Sequence, residues 1–288
     1  MRCGLLIVIS AVYATGGYAD PASAPDHDHL TTFQKSLTDS ELAWLLKHRD
    51  IRLGIDPAWE PFEFLDSAGR YRGIASEYVD LLNAMLDIHM SPVRGLTWPE
   101  VIDGARAGEI DVLPCVVRTP QREAYLNFTD TYLDFPMVIM TRESESFAGG
   151  LDDLRGQRIG VVKGYATVDL LAEHYPDLER VEFETLNKGL EALSSGQIPV
   201  FVDNLASIAH VIKKRGYTNI KVAAQTPFSF KLSLAVRKDW PELVGILNKA
   251  LAAVSVQQAD EIRDNWISIK FEYGIDIPYI IGVSLSVS

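Results

Sequence analysis

Ile51-Arg52-Leu53-Gly54-Ile55 alternates apolar with polar or small residues, the period of a half-buried strand. Glu77 to Met90 follows, with Tyr78, Leu81, Leu82, Met85 and Leu86 at helical spacing. Trp98 to Ala107 reads as a second helix, and Asp111-Val112-Leu113-Pro114-Cys115 as a second strand. Strand, helix, strand in this order argues an α/β lobe with a largely parallel sheet. Just upstream, Thr38-Asp39-Ser40-Glu41 opens a short helix capped by Thr38 or Asp39, with Leu42, Leu45 and Leu46 as its expected apolar stripe.

Downstream the pattern breaks and starts again. Glu143 to Gly150 is polar and contains glycine, and Leu151 to Gly156 reads as a turn. Arg158 to Val162 is then a new strand ended by Gly164, and Thr167 to His174 a helix. Glu182-Phe183, Asn187 to Ser195, Val200 to Val202 and Leu205 to Lys214 alternate strand and helix to complete a second α/β lobe. Ser233 to Val236 is a further strand, followed by helices at about Pro241 to Val254 and Ala259 to Ile267. Two half-sized α/β patterns predict two lobes, with a ligand in the cleft between them.

Composition limits what such a protein does. The 288 residues suggest about two domains. Hydrophobic residues are 47% and charged residues 23%, which excludes a disordered or low-complexity chain. A formal net charge of −12 argues against nucleic-acid binding, which needs clustered Lys and Arg. No apolar run is long enough to span a bilayer. Two cysteines exclude a disulfide framework.

The ends read as non-core segments. Residues 1–19 carry Arg2, an apolar core from Gly4 to Ala14, and Gly17-Tyr18-Ala19, the order of a secretory signal peptide. Cys3 lies too early to be a lipoprotein cysteine, so cleavage after Ala19 leaves Cys115 alone in a mature, periplasmic chain. Residues 20–36 read as a flexible leader; their Asp26-His27-Asp28-His29 run has no further ligands spaced to close a metal site. No metal or other cofactor is expected. Residues 276–288 form an apolar C-terminal tail too short to span a membrane.

Ile51 to Phe62, reading IRLGIDPAWEPF, resembles the opening strand of bacterial extracellular solute-binding proteins of family 3, the polar amino-acid class. Asp66 to Ile74 is similar to the hairpin that follows it there. Gly108-Glu109-Ile110-Asp111, Thr119-Pro120-Gln121-Arg122 and Phe128-Thr129-Asp130 resemble that family's central motif, and Leu154 to Val161 the start of its second lobe. Each motif is moderately specific, and their order from about Leu37 to Tyr273 is strong. The resemblance implies a two-lobed Venus flytrap of type II. Residues 37–138 plus 233–275 would form a discontinuous lobe 1, and 139–232 lobe 2. Strands near Pro136 to Thr141 and Phe230 to Val236 would be hinges, and closure on a solute the working motion.

The candidate site follows from the same resemblance. Arg122 matches the family's carboxylate-binding arginine, a role that suits its planar fork; the alternative is a surface arginine paired with Glu123. Asp203 ends an apolar strand at a sheet's C-terminal edge and matches the ammonium-binding position; the alternative is a helix N-cap. Trp59 and Trp98 fall where aromatic rings meet the ligand, or else pack as core. Asp56 would face a basic group or stabilise a turn. Val117 and Cys115 stand where many members carry hydroxyls, and Tyr165-Ala166 where Ser-Thr is common. Lost hydroxyls weaken an amino-acid grip by about 0.5–1.5 kcal/mol each. An unusual amino acid, an amine, or a carboxylate without an α-amino group is therefore expected.

Three functions compete. One is a periplasmic binding protein, expected as a monomer, that delivers solute to an ABC permease. A second is a ligand-sensing ectodomain of a membrane kinase or cyclase, in which Tyr273-Gly274-Ile275-Asp276 would lie just before the membrane helix. The third, a dehydratase with Asp203 or Asp56 as proton-transfer group, is disfavoured: there is no Ser/His/Asp constellation, phosphate loop or paired metal ligands. A binding protein rather than an enzyme is expected.

Overall fold

The computed structural model describes residues 33, 36–146 and 149–267. The proposed signal peptide, the tail, Tyr273 to Asp276 and most of the 20–36 leader lie outside these residues. Within that leader segment Phe33 is helical and buried among the apolar residues of the first lobe, so the core begins earlier than expected.

The first lobe grows from β1 (Asp50–Leu53), which pairs in parallel with β5 (His89–Pro92) on one side and β6 (Val112–Val117) on the other. A small antiparallel sheet of β2 (Ala58–Trp59), β3 (Glu63–Leu65) and β4 (Tyr71–Arg72) follows β1. Helix α1 (Asp39–Lys47) starts on a reciprocal cap between Thr38 and Glu41. Of its expected stripe only Leu45 is buried; Leu42 and Leu46 are 39% and 66% exposed. Helix α2 (Ile74–Leu86) starts earlier and stops sooner than the periodicity suggests. Asp87 takes a left-handed conformation (φ 52°) and ends it, which an aspartate tolerates better than most residues. His89 and Met90 then enter β5 instead of extending the helix.

Helix α3 (Trp98–Ala107) is capped by Thr97 and Glu100, and α4 (Pro120–Glu123) by Thr119. β7 (Leu126–Phe128) pairs with β12 (Ile220–Arg237). β8 (Leu133–Arg142) and β12 run antiparallel and carry the chain between lobes. β12 pairs with β8 over Ile220 to Leu232 and with β6 over Leu232 to Val236, so one 18-residue strand belongs to both halves.

The second lobe continues the sheet through β9 (Arg158–Val162), β10 (Glu179–Phe183) and β11 (Val200–Asn204). The strand order is β10-β9-β11-β8-β12-β6-β1-β5. Helices α5 (Ala166–His174), α6 (Leu186–Ser195) and α7 (Leu205–Arg215) connect or follow its strands. Phe201 fills this lobe's centre, and a Cβ on Gly189 would collide with its ring. Helices α8 (Pro241–Ala253) and α9 (Val256–Trp266) return to the first lobe, where Leu243, Ile246 and Leu247 join Leu53, Leu82 and Val236 in its core. Among the described residues no helix is long and apolar enough to cross a membrane.

The first lobe also contains a polar lock. Asp111, at the foot of β6, receives Arg52 of β1 (Nη2 to Oδ1, 2.7 Å) and Arg237 of β12 (Nη1 to Oδ1, 2.9 Å). Both arginines also donate to the Gly108 carbonyl, tying two strands to one turn.

Candidate functional site

The C-terminal ends of β1, β6 and β9 face one another where the lobes meet. Trp59, Trp98, Cys115, Val116, Val117 and Arg122 of the first lobe, with Tyr165, Ala166 and Phe230, line a cavity of about 20 Å³. That is room for about one water. A ligand of amino-acid size therefore enters only if the lobes part or side chains swing. Seven residues singled out by sequence thus share one wall: Trp59, Trp98, Cys115, Val117, Arg122, Tyr165 and Ala166.

Arg122 sits on the short α4 and is buried, not a surface partner of Glu123. Its Nη1 donates to the Val117 carbonyl at 2.8 Å and its Nη2 to the Gly164 carbonyl, in the other lobe, at 2.9 Å. Trp98 Nε1 donates to the same Gly164 carbonyl at 3.0 Å, and the Arg122 guanidinium lies 5.9 Å from the Trp98 ring centroid. Gly164 has φ +75°, a conformation costly for residues with a Cβ, which turns its carbonyl toward the first lobe's donors. Burial lowers the Arg122 pKa from its usual value, and Asp169 pulls the other way.

Trp59 contacts Tyr165 and Phe230 at ring-centroid distances of 5.4 and 6.1 Å. Its Nε1 is buried with no partner among the described residues, a free donor in an otherwise aromatic wall. Tyr165 crosses the cleft and donates its hydroxyl to Asp56 Oδ2 at 2.6 Å. Asp56 Oδ1 accepts from the Ala58 amide, so Asp56 also holds the turn after β1. Burial raises Asp56 to about 6, against the Tyr165 and Ala58 hydrogen bonds.

Asp203 is fully buried at the end of β11 and does not line the cavity. The N-cap of α7 is Asn204, whose side chain accepts from Ala206 and Ser207. Asp203 Oδ1 accepts from the Asn204 amide at 2.7 Å, and Oδ2 has no partner among the described residues. Burial raises Asp203 to about 7, with the charge of Asp56 adding to the rise.

Sequence reasoning missed Phe230, Val116 and Glu63. The alternation Phe228, Phe230, Leu232, Leu234 marks a strand facing the core, from which Phe230 was recoverable. Glu63 carried no signal: it is fully buried, accepting from the Asp56 amide and the Tyr71 hydroxyl. Burial pushes its pKa well up.

A larger hollow of about 430 Å³ lies elsewhere, against Lys47, His48, Arg49, Arg52, Asp111, Arg237 and Trp240. Its two central arginines are already committed to Asp111, so it is the outer face of the polar lock.

Cys115 is buried in β6, and burial pushes its thiol pKa well up. A thiol without thiolate character reacts slowly. In the native protein Cys115 is expected to label with a maleimide many times more slowly than after unfolding in urea. Equal rates would place it at an open surface.

Comparison with known proteins agrees with this architecture. The virulence sensor protein BvgS of Bordetella bronchiseptica is 24% identical over 227 residues, 78% of this chain and 18% of that protein. Sensor protein EvgS of Escherichia coli K12 is 21% identical over 235 residues, 81% of this chain and 19% of that protein. The chain thus spans about a fifth of the length of these sensors. The ABC transporter arginine-binding protein 1 of Escherichia coli K12 is 25% identical over 225 residues, 75% of this chain and 90% of that protein. The crystal structure of the Bordetella pertussis BvgS periplasmic VFT2 domain superposes with a TM-score of 0.71 at 23% identity, covering 80% of this chain and 98% of that one. This likeness shows the fold, a two-lobed Venus flytrap. The family model for bacterial extracellular solute-binding proteins, family 3, matches residues 51–269, and the chain belongs to that family.

Proposed function

We propose that this chain is a periplasmic flytrap module that captures a small amino-acid-like or carboxylate ligand between its lobes, without transforming it. The carrying observation is the wall itself. A buried guanidinium, Arg122, and the unpaired Trp59 Nε1 supply donors for a carboxylate among the rings of Trp98, Tyr165 and Phe230. The unpaired Oδ2 of Asp203 is an acceptor for an ammonium group once Tyr165 moves aside. Residues 1–19 are proposed as the export signal that delivers the module to the periplasm.

A sensing role is favoured over delivery to a permease by a second observation. The lobes are already joined by the chain's own side chains: Tyr165 to Asp56, and Arg122 and Trp98 to Gly164. A ligand must replace these contacts, each worth about 0.5–1.5 kcal/mol net. Part of its binding energy then goes into rearranging the cleft, which suits a module that reports lobe position. The similarity to sensor kinases supports the same reading, with the membrane and kinase parts supplied outside this segment.

A thermal-shift screen of amino acids, polyamines and organic acids tests the binding role. A true ligand at 100 times its Kd should stabilise the protein by about 2.7 kcal/mol. No shift from any compound, or steady turnover of a prephenate-type acid, would overturn the proposal.

A further inference from the structure

Three carboxylates are buried together at the cleft: Asp56 and Glu63 of the first lobe and Asp203 of the second. None has a cation among its hydrogen-bond partners. Asp56 accepts from Tyr165 and Ala58, Glu63 from Tyr71 and the Asp56 amide, and Asp203 from the Asn204 amide. Around Asp56 the facing titratable groups are Glu63 on β3, Cys115 on β6, Asp203 on β11 and Tyr165 at the start of α5. Tyr71 on β4 and Tyr132, before β8, lie behind Glu63 and Cys115. Every one of these groups is neutral or negative. Arg122, the one cation lining the cavity among the described residues, donates to the Val117 and Gly164 carbonyls.

A second observation is independent of the clustering. Asp203 Oδ2 is buried and unpartnered, so an ionised Asp203 leaves half its carboxylate unsatisfied. Tyr165 of the second lobe covers Asp56 of the first, so parting the lobes returns Asp56 to water and moves its charge away from Asp203. Burying two like charges together opposes closure unless one is neutralised.

We propose that closing of this cleft takes up protons on Asp56 and Asp203, so that acid favours the closed form and mild alkali favours the open one. This regulates the site described above and rests on the flytrap motion proposed there, though not on the identity of any ligand. The sign follows from linkage. In the closed form burial holds Asp56 at about 6 and Asp203 at about 7, above the ordinary aspartate value of 3.8. The closed form therefore binds protons more tightly. Its advantage is complete below the ordinary value and is lost as pH rises through 6 to 7.

Ionisable side chains also meet the opposite lobe elsewhere: Thr119 Oγ1 donates to Asp169 Oδ2 at 3.3 Å. At the rim, Glu60 pairs with Lys214 at 2.7 Å and with His210 at 3.3 Å, and burial lowers the His210 pKa. Because burial lowers the His210 pKa in the closed form, protonating His210 opposes closure, so it cannot supply the acid response and serves as the control.

The test is small-angle scattering of the full mature chain at about pH 5 and about pH 8, where the closing constant should fall about tenfold or more. Wild type is expected to be compact at the lower pH and expanded at the higher. The D56N/D203N double variant, which mimics both protonated acids, should be compact at both, each single variant should keep a reduced response, and H210Q should keep the wild-type response. An unchanged wild-type radius, a full response in the D56N/D203N double variant, or its loss in H210Q would overturn the proposal. If the asparagine variants fail to fold by circular dichroism, the infrared carboxyl band of wild type decides. A protonated, buried carboxyl signal at about pH 5.5 supports the proposal, and fully ionised carboxylates overturn it. Compaction by acid with no hit in the ligand screen would sink the solute-binding reading alone. A ligand that compacts the protein equally at both pH values would sink this one alone.

Discussion

Replacing Arg122 by alanine is expected to weaken binding of the best ligand from the screen by about 30-fold or more, or about 2–5 kcal/mol. Arg122 is buried, with one terminal nitrogen donating to Val117 in its own lobe and the other to Gly164 across the cleft, so its charge is held in place before any ligand arrives. A carboxylate meeting it gains charge-assisted bonds in a site with little water. Removing the guanidinium leaves that carboxylate unpaired in a wall of Trp59, Trp98, Tyr165 and Phe230. Lysine should not rescue, because an ammonium point charge cannot span two carbonyls and a carboxylate as a planar fork does.

The same substitution acts on the fold, and the two effects separate. Val117 loses the Arg122 donor at its carbonyl, whereas the Gly164 carbonyl keeps Trp98 Nε1. Stability should therefore fall by about 1–3 kcal/mol, the cost of one buried acceptor left unsatisfied. Calorimetry well below the unfolding temperature then reads binding alone. Wild-type affinity in Arg122→Ala would remove Arg122 from the site. The companion Asp203→Asn sorts ligand classes: it should cost a similar amount for an ammonium-bearing ligand and little for a simple dicarboxylate. If it is silent while Arg122→Ala is not, a carboxylate without an amino group is the better reading.

Local pattern gave the order of elements well because each helix and short strand carries its own periodicity. It failed where distant pairing decides. β12 was read from periodicity at Ser233 to Val236 and from the family resemblance at Phe230 to Val236, yet it begins at Ile220, where Ile220 to Gln225 are strand through their pairing with β8. Leu42 and Leu46 looked like core because a helical stripe does not say how wide the partner surface is; only Leu45 meets one. Asp87 stopped α2 without a glycine or proline to announce it.

The site divides in the same way. Seven of the nine positions carried over from the family, all but Asp56 and Asp203, gather at one cavity because strand ends and helix starts hold them there, whatever the side chain. What the substituted side chains do to the cleft was not legible. Tyr165, at a position where a small hydroxyl residue is common, reaches the opposite lobe and takes the Asp56 carboxylate for itself. Asp203 accordingly sits behind the wall and not in it.

Asp111→Ala is expected to cost about 2–4 kcal/mol of stability and to shift the urea midpoint down with an unchanged slope. Asp111 is 3% exposed and receives Arg52 and Arg237 from two different strands. Burial alone would raise its pKa, but hydrogen bonds from the Arg52 side chain and amide, and from Arg237, hold it below the usual carboxylate value. Alanine would leave both guanidiniums facing each other with only the Gly108 carbonyl in common. Arg52 is 48% exposed, so water screens part of the loss and keeps it below that of a fully buried pair. The pH dependence separates this lock from the cleft. A depressed carboxylate contributes stability above the ordinary value of 3.8, and loses it as pH falls through its own lower value. Wild type should therefore weaken in strong acid through Asp111, whereas Asp56 and Asp203 weaken the closed form as pH rises through 6 to 7. In Asp111→Ala the stability lost below the ordinary value should shrink, and the change across 6 to 7 should remain as in wild type. An Asp111→Ala protein within about 0.5 kcal/mol of wild type would mean that the two arginines find water as good a partner, and that the lock does not hold the first lobe.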